Sequence, residues 1–253
     1  MRNAPGALGL KYLAGHDSLK NQTDKSNLKS MITSNAKAKI KKFNRLGLPS
    51  NIVAEAVYKR WWSLLSPFYP QYLQYIISGL ISFEMETLTG PDRRSRYNSS
   101  AGDFLTLLRR MIVRIHPLIA HLVIYKVSNV DLEKEEKNIT SAYRILVKGL
   151  GKFNASEEGE LHVSATRILH FINPQLFLSI DGNAAKAFQK THNIDFKNTT
   201  HPEYSSANYF ACLKCAQLDI LTYGISRFCA LEISSPIGRI YDKLSFINGL
   251  NGE

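Results

Sequence analysis

The chain has 253 residues, of which 44% are hydrophobic, and it carries 32 Lys and Arg against 21 Asp and Glu. This hydrophobic content is enough to bury a substantial core, which excludes a chain that is disordered throughout. The formal charge of +11 at pH 7 favours polyanionic partners through long-range attraction and counterion release, with solubility alone as the alternative role.

Cysteine usage and the apolar runs predict a cytoplasmic protein that does not enter a membrane. The three cysteines, at positions 212, 215 and 229, are too few for a disulfide framework, which favours a reducing compartment. Residues 1–30 lack the apolar core of a secretory signal. The longest apolar run, Tyr72–Phe83, is shorter than the roughly 18 residues that a membrane span needs. The second stretch, Phe104–Val127, contains arginines that are costly inside a bilayer.

Residues 1–30 are rich in Gly, Asn, Ser and Lys and show no apolar period, so we predict a disordered N-terminal arm. A helical globular domain is predicted over residues 31–253, with possible halves at 31–150 and 151–253. This domain opens with a basic run from Lys37 to Arg45. The run has two interpretations, a solvated helix face and a surface that contacts phosphate.

Two helices rich in aromatic residues are predicted next. Ser50 caps the first, and its apolar residues follow one helical stripe until Pro67 ends it. The second helix covers Gln71–Leu88 and closes at Gly90. Aromatic side chains such as Trp61 can stack on bases, but packing in the core is the favoured interpretation on an amphipathic helix.

The loop Asp92–Ser100 holds the densest arginine cluster of the chain, which consists of Arg93, Arg94 and Arg96. Small polar neighbours predict that the loop is exposed. A guanidinium group is always charged, and its fork of N–H donors matches the oxygens of a phosphate. We therefore predict that this loop binds the phosphates of a nucleic acid.

Helical patterns fill the rest of the chain, and long β-branched alternation is absent. Start and stop signals predict helices over Gly102–Ile115, from Asp131 to Gly149, over Tyr209–Gly224, and from Ser235-Pro236 to about Ile247. The predicted fold class is mainly α, a compact multi-helix bundle. Two helical halves with a cleft between them are a possible arrangement of this bundle.

The segment His162–Phe188 contains the residues that could carry chemistry. The first helix of the segment buries one apolar face and ends at Asn173-Pro174. A second face of that helix is polar and carries His162, Thr166 and His170. Asp181 then lies at the N-cap of the next helix, and capping alone would explain an Asp there. The alternative is a carboxylate, kept ionised by the helix N-terminus, that stabilises a developing sugar oxocarbenium ion.

The run Ser164–Phe171, with Asn173-Pro174, Leu176-Phe177 and Asp181 behind it, resembles a pattern found in helix-hairpin-helix DNA glycosylases. The likeness extends to the 8-oxoguanine glycosylase and endonuclease III types and is confined to about residues 157–188. It implies an enzyme that binds duplex DNA, flips a base and cleaves its N-glycosidic bond. Asp181 would be the catalytic carboxylate, and no cofactor is implied.

Several positions depart from that pattern. Arg167 stands where the pattern has Lys, and a guanidinium is protonated at every accessible pH, so it cannot form a Schiff base. Arg167 could instead hold a phosphate, with Ser164 and Thr166 beside it. Leu178 replaces an expected Pro, and no Gly-x-Gly hairpin lies just before Ser164. Two alternatives therefore stay open: a nucleic-acid-binding protein without catalysis, and a helical protein-interaction module.

The sequence predicts no metal site. Cys212 and Cys215 are spaced like a thiolate pair, but together with Cys229 and distant histidines they make no recognisable four-ligand set. Buried helix cysteines are the favoured interpretation. His162 and His170 are two helical turns apart, farther than the one-turn spacing that chelates zinc, so we expect hydrogen-bonded or surface imidazoles.

Overall fold

The computed structural model describes residues 30–47, 55–56, 101–151, 158–195 and 206–252, without the side chains of residues 101–105, 151 and 158–161. The predicted N-terminal arm up to residue 29, nearly all of the two predicted aromatic-rich helices and the predicted Arg93–Arg96 loop lie outside these ranges. Within them every regular element is helical, which confirms the mainly α prediction. The α-helices are α1 Ala36–Arg45, α2 Ala101–Ile119, α3 Leu132–Gly151, α4 Glu158–Ile172, α5 Gly182–His192, α6 Ser206–Tyr223, α7 Ile225–Cys229 and α8 Ile237–Leu250.

Local signals in the sequence explain where several helices begin and end. The Asp131 carboxylate accepts a hydrogen bond from the Lys134 N–H at 3.2 Å, which confirms the predicted start of α3. α4 ends one residue before Asn173-Pro174, and α8 begins directly after Pro236, as predicted. α2 runs past its predicted end, because a proline this close to the end of a helix removes only one of its last hydrogen bonds.

α2 is the helix that covers most of the second apolar stretch. Its arginines at 109, 110 and 114 are exposed, while the opposite side of the helix is buried. A short 3-10 turn, Ala120–Ile124, follows it. Across the described ranges, no helix has both the length and the apolar character that crossing a membrane requires.

One hydrophobic core joins the helices. It extends from Met31 to Leu244 and therefore draws on both predicted halves. α2 packs against α3, α3 packs against α4 and α6, and α8 packs against α5, α1 and α7. Tyr143, Phe177 and Tyr241 are among the largest fully buried side chains. Burial of this kind is the main stabilising contribution to such a fold.

The packing of α8 requires glycine at two positions. A Cβ at Gly238 would lie 2.5 Å from the main-chain oxygen of Pro174 and 2.8 Å from that of Phe177. A Cβ at Gly249 would overlap the main-chain carbonyl of Asn183, in the first turn of α5. The C-terminal end of α8 therefore lies against the helix start that Asp181 caps.

Replacing Gly249 by Ala is expected to lower the free energy of unfolding by about 1–3 kcal/mol, because the new methyl group meets main chain that cannot rotate away. Helix propensity alone would favour Ala over Gly by about 1 kcal/mol, so the sign of the effect is diagnostic. The measurement is chemical denaturation followed by circular dichroism. Gly149→Ala is the matched control, since its methyl group would meet only the flexible side chain of Met111. A loss of stability for Gly249→Ala that is equal to or smaller than that for Gly149→Ala would contradict the close packing of α8 against the start of α5.

Candidate functional site

Asp181 lies where the sequence predicts it, at the N-cap of α5. Its backbone is extended, and its Oδ1 accepts a hydrogen bond from the N–H of Ala184 at 2.9 Å. The residue is partly exposed, as are Gly182 and Asn183 after it. A carboxylate at this position gains from the free amides and the dipole of the helix. Asp181 therefore has a carboxylate fixed by the helix start and lies in a partly exposed part of the chain.

The loop between α4 and α5 is tied to the rest of the fold by Asn173 and Gln175. The Asn173 Nδ2 donates to the carbonyl oxygens of Leu122 at 2.9 Å and Tyr125 at 3.0 Å. The Gln175 Oε1 accepts from the N–H of Ile237 at 3.1 Å, at the first residue of α8. The loop that leads to Asp181 is thus held at its start by side-chain amides.

Thr166 supports the other end of the same loop. Its Oγ1 donates to the carbonyl of Val163 at 2.8 Å and accepts from the N–H of Ile180 at 3.1 Å, one residue before Asp181. The side chain is fully buried. Its hydroxyl is therefore inaccessible to a phosphate, so the predicted contact of Thr166 with nucleic acid is corrected. Thr166 instead stabilises the loop through these two hydrogen bonds.

Of the other predicted contacts, Ser164 and Arg167 lie on α4 and are both partly exposed. Arg167 is one turn before His170, which is buried. Arg93, Arg94 and Arg96 lie outside the described residues, so their predicted phosphate contact stays a prediction.

His170 and Asp242 form a buried polar pair beneath the loop, with 1% and 5% of their surfaces exposed. The His170 Nδ1–H donates to the carbonyl of Phe177 at 2.6 Å. Its Nε2 therefore faces Asp242, whose Oδ2 lies 3.4 Å away. The Asp242 Oδ1 accepts from the N–H of Ser179 at 3.1 Å, so both side chains hold the chain just before Asp181.

The protonation of this pair follows from its burial. Burial raises the pKa of Asp242 well above its ordinary value, and Asp181 raises it further, while Arg239 opposes the shift. Burial lowers the pKa of His170 to about 3. Burial therefore favours the uncharged form of both side chains, a protonated carboxyl on Asp242 and an imidazole on His170 that keeps only its Nδ1 proton.

Two buried cations lie on α8 beside Asp242, and sequence reasoning missed them. Arg239 and Lys243 are 4% and 1% exposed. The Lys243 Nζ lies 2.8 Å from an oxygen of Glu232 and 3.0 Å from one of Glu55, and the Arg239 Nε lies 3.6 Å from the same Glu55 oxygen. These pairs compensate the cost of burying the charges. Apolar residues that spread over more than half of the circumference of α8 were the available signal for a central, buried helix.

A second buried carboxylate, Asp219, joins three distant parts of the chain. Its Oδ2 accepts from the Tyr241 hydroxyl at 2.7 Å and from the Met31 N–H at 3.1 Å, and it pairs with the His192 Nε2 at 3.1 Å. Burial alone would lower the pKa of His192, but its hydrogen bonds with Asp219 and Cys215 raise it to about 9. Near neutral pH the pair is a buried imidazolium and carboxylate at the C-terminal end of α5.

The cysteines and histidines assemble no larger ligand group within the described residues. The three cysteines are free thiols, and Cys212 is buried as the sequence predicts. His162 is hydrogen-bonded through its Nδ1 to the Tyr143 hydroxyl at 2.9 Å. Nowhere in the described part of the chain do three or more His, Cys, Asp or Glu side chains come together as a metal site would require.

Comparison with known protein families, with curated proteins and with solved structures gives no match. Function therefore has to be argued from the site itself.

Proposed function

We propose that the protein binds duplex DNA and cleaves the N-glycosidic bond of a flipped base, with Asp181 as the catalytic carboxylate. The observation that carries this proposal is the position of Asp181, which is partly exposed at the start of α5. The loop before it is fixed by hydrogen bonds from its main chain to the buried side chains of Asp242 and Thr166. A carboxylate needs such rigid support to act on a charge that exists only in the transition state.

The chemistry asked of Asp181 is electrostatic. As the bond between C1′ and the base nitrogen breaks, the bonding electrons leave with the base, and positive charge develops on the sugar. The Asp181 carboxylate stabilises that charge and orients a water molecule towards C1′. The water oxygen bonds to C1′ and loses its proton to solvent, while the departing base takes up a proton. The products are a free base and an abasic sugar.

Cations on the two helices that flank the Asp181 loop favour a polyanionic ligand. Arg167 is partly exposed on α4, and Lys186 is exposed in the helix that Asp181 caps. With Ser164, Arg167 would contact the DNA backbone, and the Arg93–Arg96 loop remains a proposed further contact. Because Arg167 cannot form a Schiff base, the proposed reaction releases a base and leaves the strand intact.

The second candidate is a nucleic-acid-binding protein without catalysis. It is favoured by the exposed arginines of α2, which suit phosphate contacts and need no chemistry at Asp181. The protein-interaction module remains the third alternative, since it requires neither the arginines nor Asp181.

The test is incubation of the full chain with duplexes that carry uracil, oxidised guanine or alkylated adenine, each beside an unmodified duplex. We expect mass spectrometry to detect free base from at least one modified duplex. The strand should break only after alkali treatment, as a released base without lyase chemistry requires. Duplex binding without base release from any substrate would support the second candidate, and the absence of duplex binding would refute both.

A further inference from the structure

The exposed side of α2 is lined by arginines. Arg109, Arg110 and Arg114 are all exposed, and at 100° per residue they cover an arc of about 140° on the helix. The opposite side is buried in the core through Leu108, Met111, Ile112, Ile115 and Ile119. The three guanidinium groups therefore point away from the body of the protein, and we call this surface the α2 arginine face.

From Phe104 to its end α2 carries no acidic residue, and the one acid of the helix, Asp103, lies six residues before Arg109. The sequence contains no Asp or Glu from position 104 to 130. Among the ion pairs of the described residues, none involves Arg109, Arg110 or Arg114. The exposed side of the neighbouring helix α3 differs, because it alternates acidic and basic residues such as Glu133, Lys134, Glu136 and Lys137. From Arg109 to the end of α2, the charge of the α2 arginine face is thus concentrated and positive.

From this concentration we infer that the α2 arginine face binds the phosphate backbone of duplex DNA. The inference rests on the proposed function and adds the surface by which the DNA is held. Arginine suits this role because its planar fork donates two hydrogen bonds to one phosphate. Val113, 72% exposed between the arginines, is the one large apolar side chain of this face. A helix that lies on a membrane needs a broad exposed apolar face, whereas the apolar face of α2 is buried in the core.

The sequence extends the same charge towards the N-terminus. Six arginines fall between positions 93 and 114, against the single acid Asp103. In the sequence, the predicted phosphate-binding loop immediately precedes α2, and its last arginine, Arg96, is 13 residues before Arg109. Each further positive residue that contacts a phosphate increases the number of counterions that DNA binding releases.

The salt dependence of binding tests the inference. The triple change Arg109→Gln, Arg110→Gln and Arg114→Gln removes three charges from an exposed surface, and the full chain is titrated into a labelled 20-base-pair duplex over a range of salt concentrations. Each lost phosphate contact reduces the slope of log K against log salt by about 0.9, so three contacts reduce it by about 2.7. The matched control changes three exposed lysines of α3, Lys134, Lys137 and Lys148, to Gln. We expect a change of slope below about 1 for this control.

An Arg→Lys triple variant at the same three positions keeps the charges and is expected to retain most of the slope. Unfolding midpoints of all variants should match the wild type, because the changed side chains are exposed. If the wild type binds the duplex and the Gln triple variant keeps the wild-type slope, the inference fails while the proposed function stands. If the wild type binds no duplex at low salt, both fail.

Discussion

Replacing Asp219 by Ala is expected to destabilise the fold by about 3–5 kcal/mol, because it leaves the buried imidazolium of His192 without its carboxylate. The same change removes the acceptor of the Tyr241 hydroxyl and of the Met31 N–H. Unpaired buried donors retain their full desolvation cost. Guanidinium denaturation at pH 6 measures the loss.

Tyr241→Phe provides the control, since it removes one hydrogen bond and leaves the ion pair, at an expected cost of about 1 kcal/mol. A loss below about 1 kcal/mol for Asp219→Ala would show that Asp219 does not hold these three parts of the chain together.

Stability is expected to fall as the pH rises above about 6.5. The pKa of His192 is raised from its ordinary 6.5 to about 9, so its contribution is complete below pH 6.5 and is lost as the pH rises through 9. The raised pKa of Asp242 also makes the stability fall with rising pH, in the window between its ordinary value of 3.8 and its folded pKa, because the folded protein keeps a proton that the unfolded chain releases. Each such proton contributes on the order of 1.4 kcal/mol per pH unit.

On the acidic side the two members of the buried pair oppose each other. The lowered pKa of His170 costs stability as the pH falls from 6.5 towards 3, while Asp242 gains it as the pH falls to its ordinary value of 3.8. Within this range the two slopes have opposite signs, so the pair changes the stability less than His170 alone would. Thermal unfolding between pH 4 and 9.5 checks this profile. His192→Gln should flatten its alkaline side, and a wild-type profile that rises from pH 6.5 to 9 would contradict it.

The sequence predicts the elements around Asp181 well because their signals are local. Asn173-Pro174 ends α4, and Asp181 caps α5 within a few residues of each other, so short-range backbone chemistry decides both positions. The start of α8 after Pro236 and the cap at Asp131 have the same origin. Helices of this kind can be placed without knowledge of their neighbours.

The support of the site could not be predicted, since it depends on partners far away in the chain. Asp219 binds the N–H of Met31, 188 residues away, and Asp242 binds that of Ser179, 63 residues away. Charged residues on a helix are ordinarily exposed, so the residue types of Arg239 and Lys243 do not predict that they are buried. Thr166 shares a helix face with His162 and His170. Only the folded structure shows that its hydroxyl accepts a hydrogen bond from the N–H of Ile180.

The rate of base release by Asp181→Asn, compared with the wild type in single turnover, tests the central claim most directly. Asn is also a good N-cap, so the unfolding midpoint and the affinity for the duplex should stay at wild-type values. Loss of the carboxylate should lower the rate on the preferred duplex by about 100-fold or more, the scale found when one electrostatic group is removed from an active site. Base release by Asp181→Asn at the wild-type rate would contradict a catalytic role for Asp181.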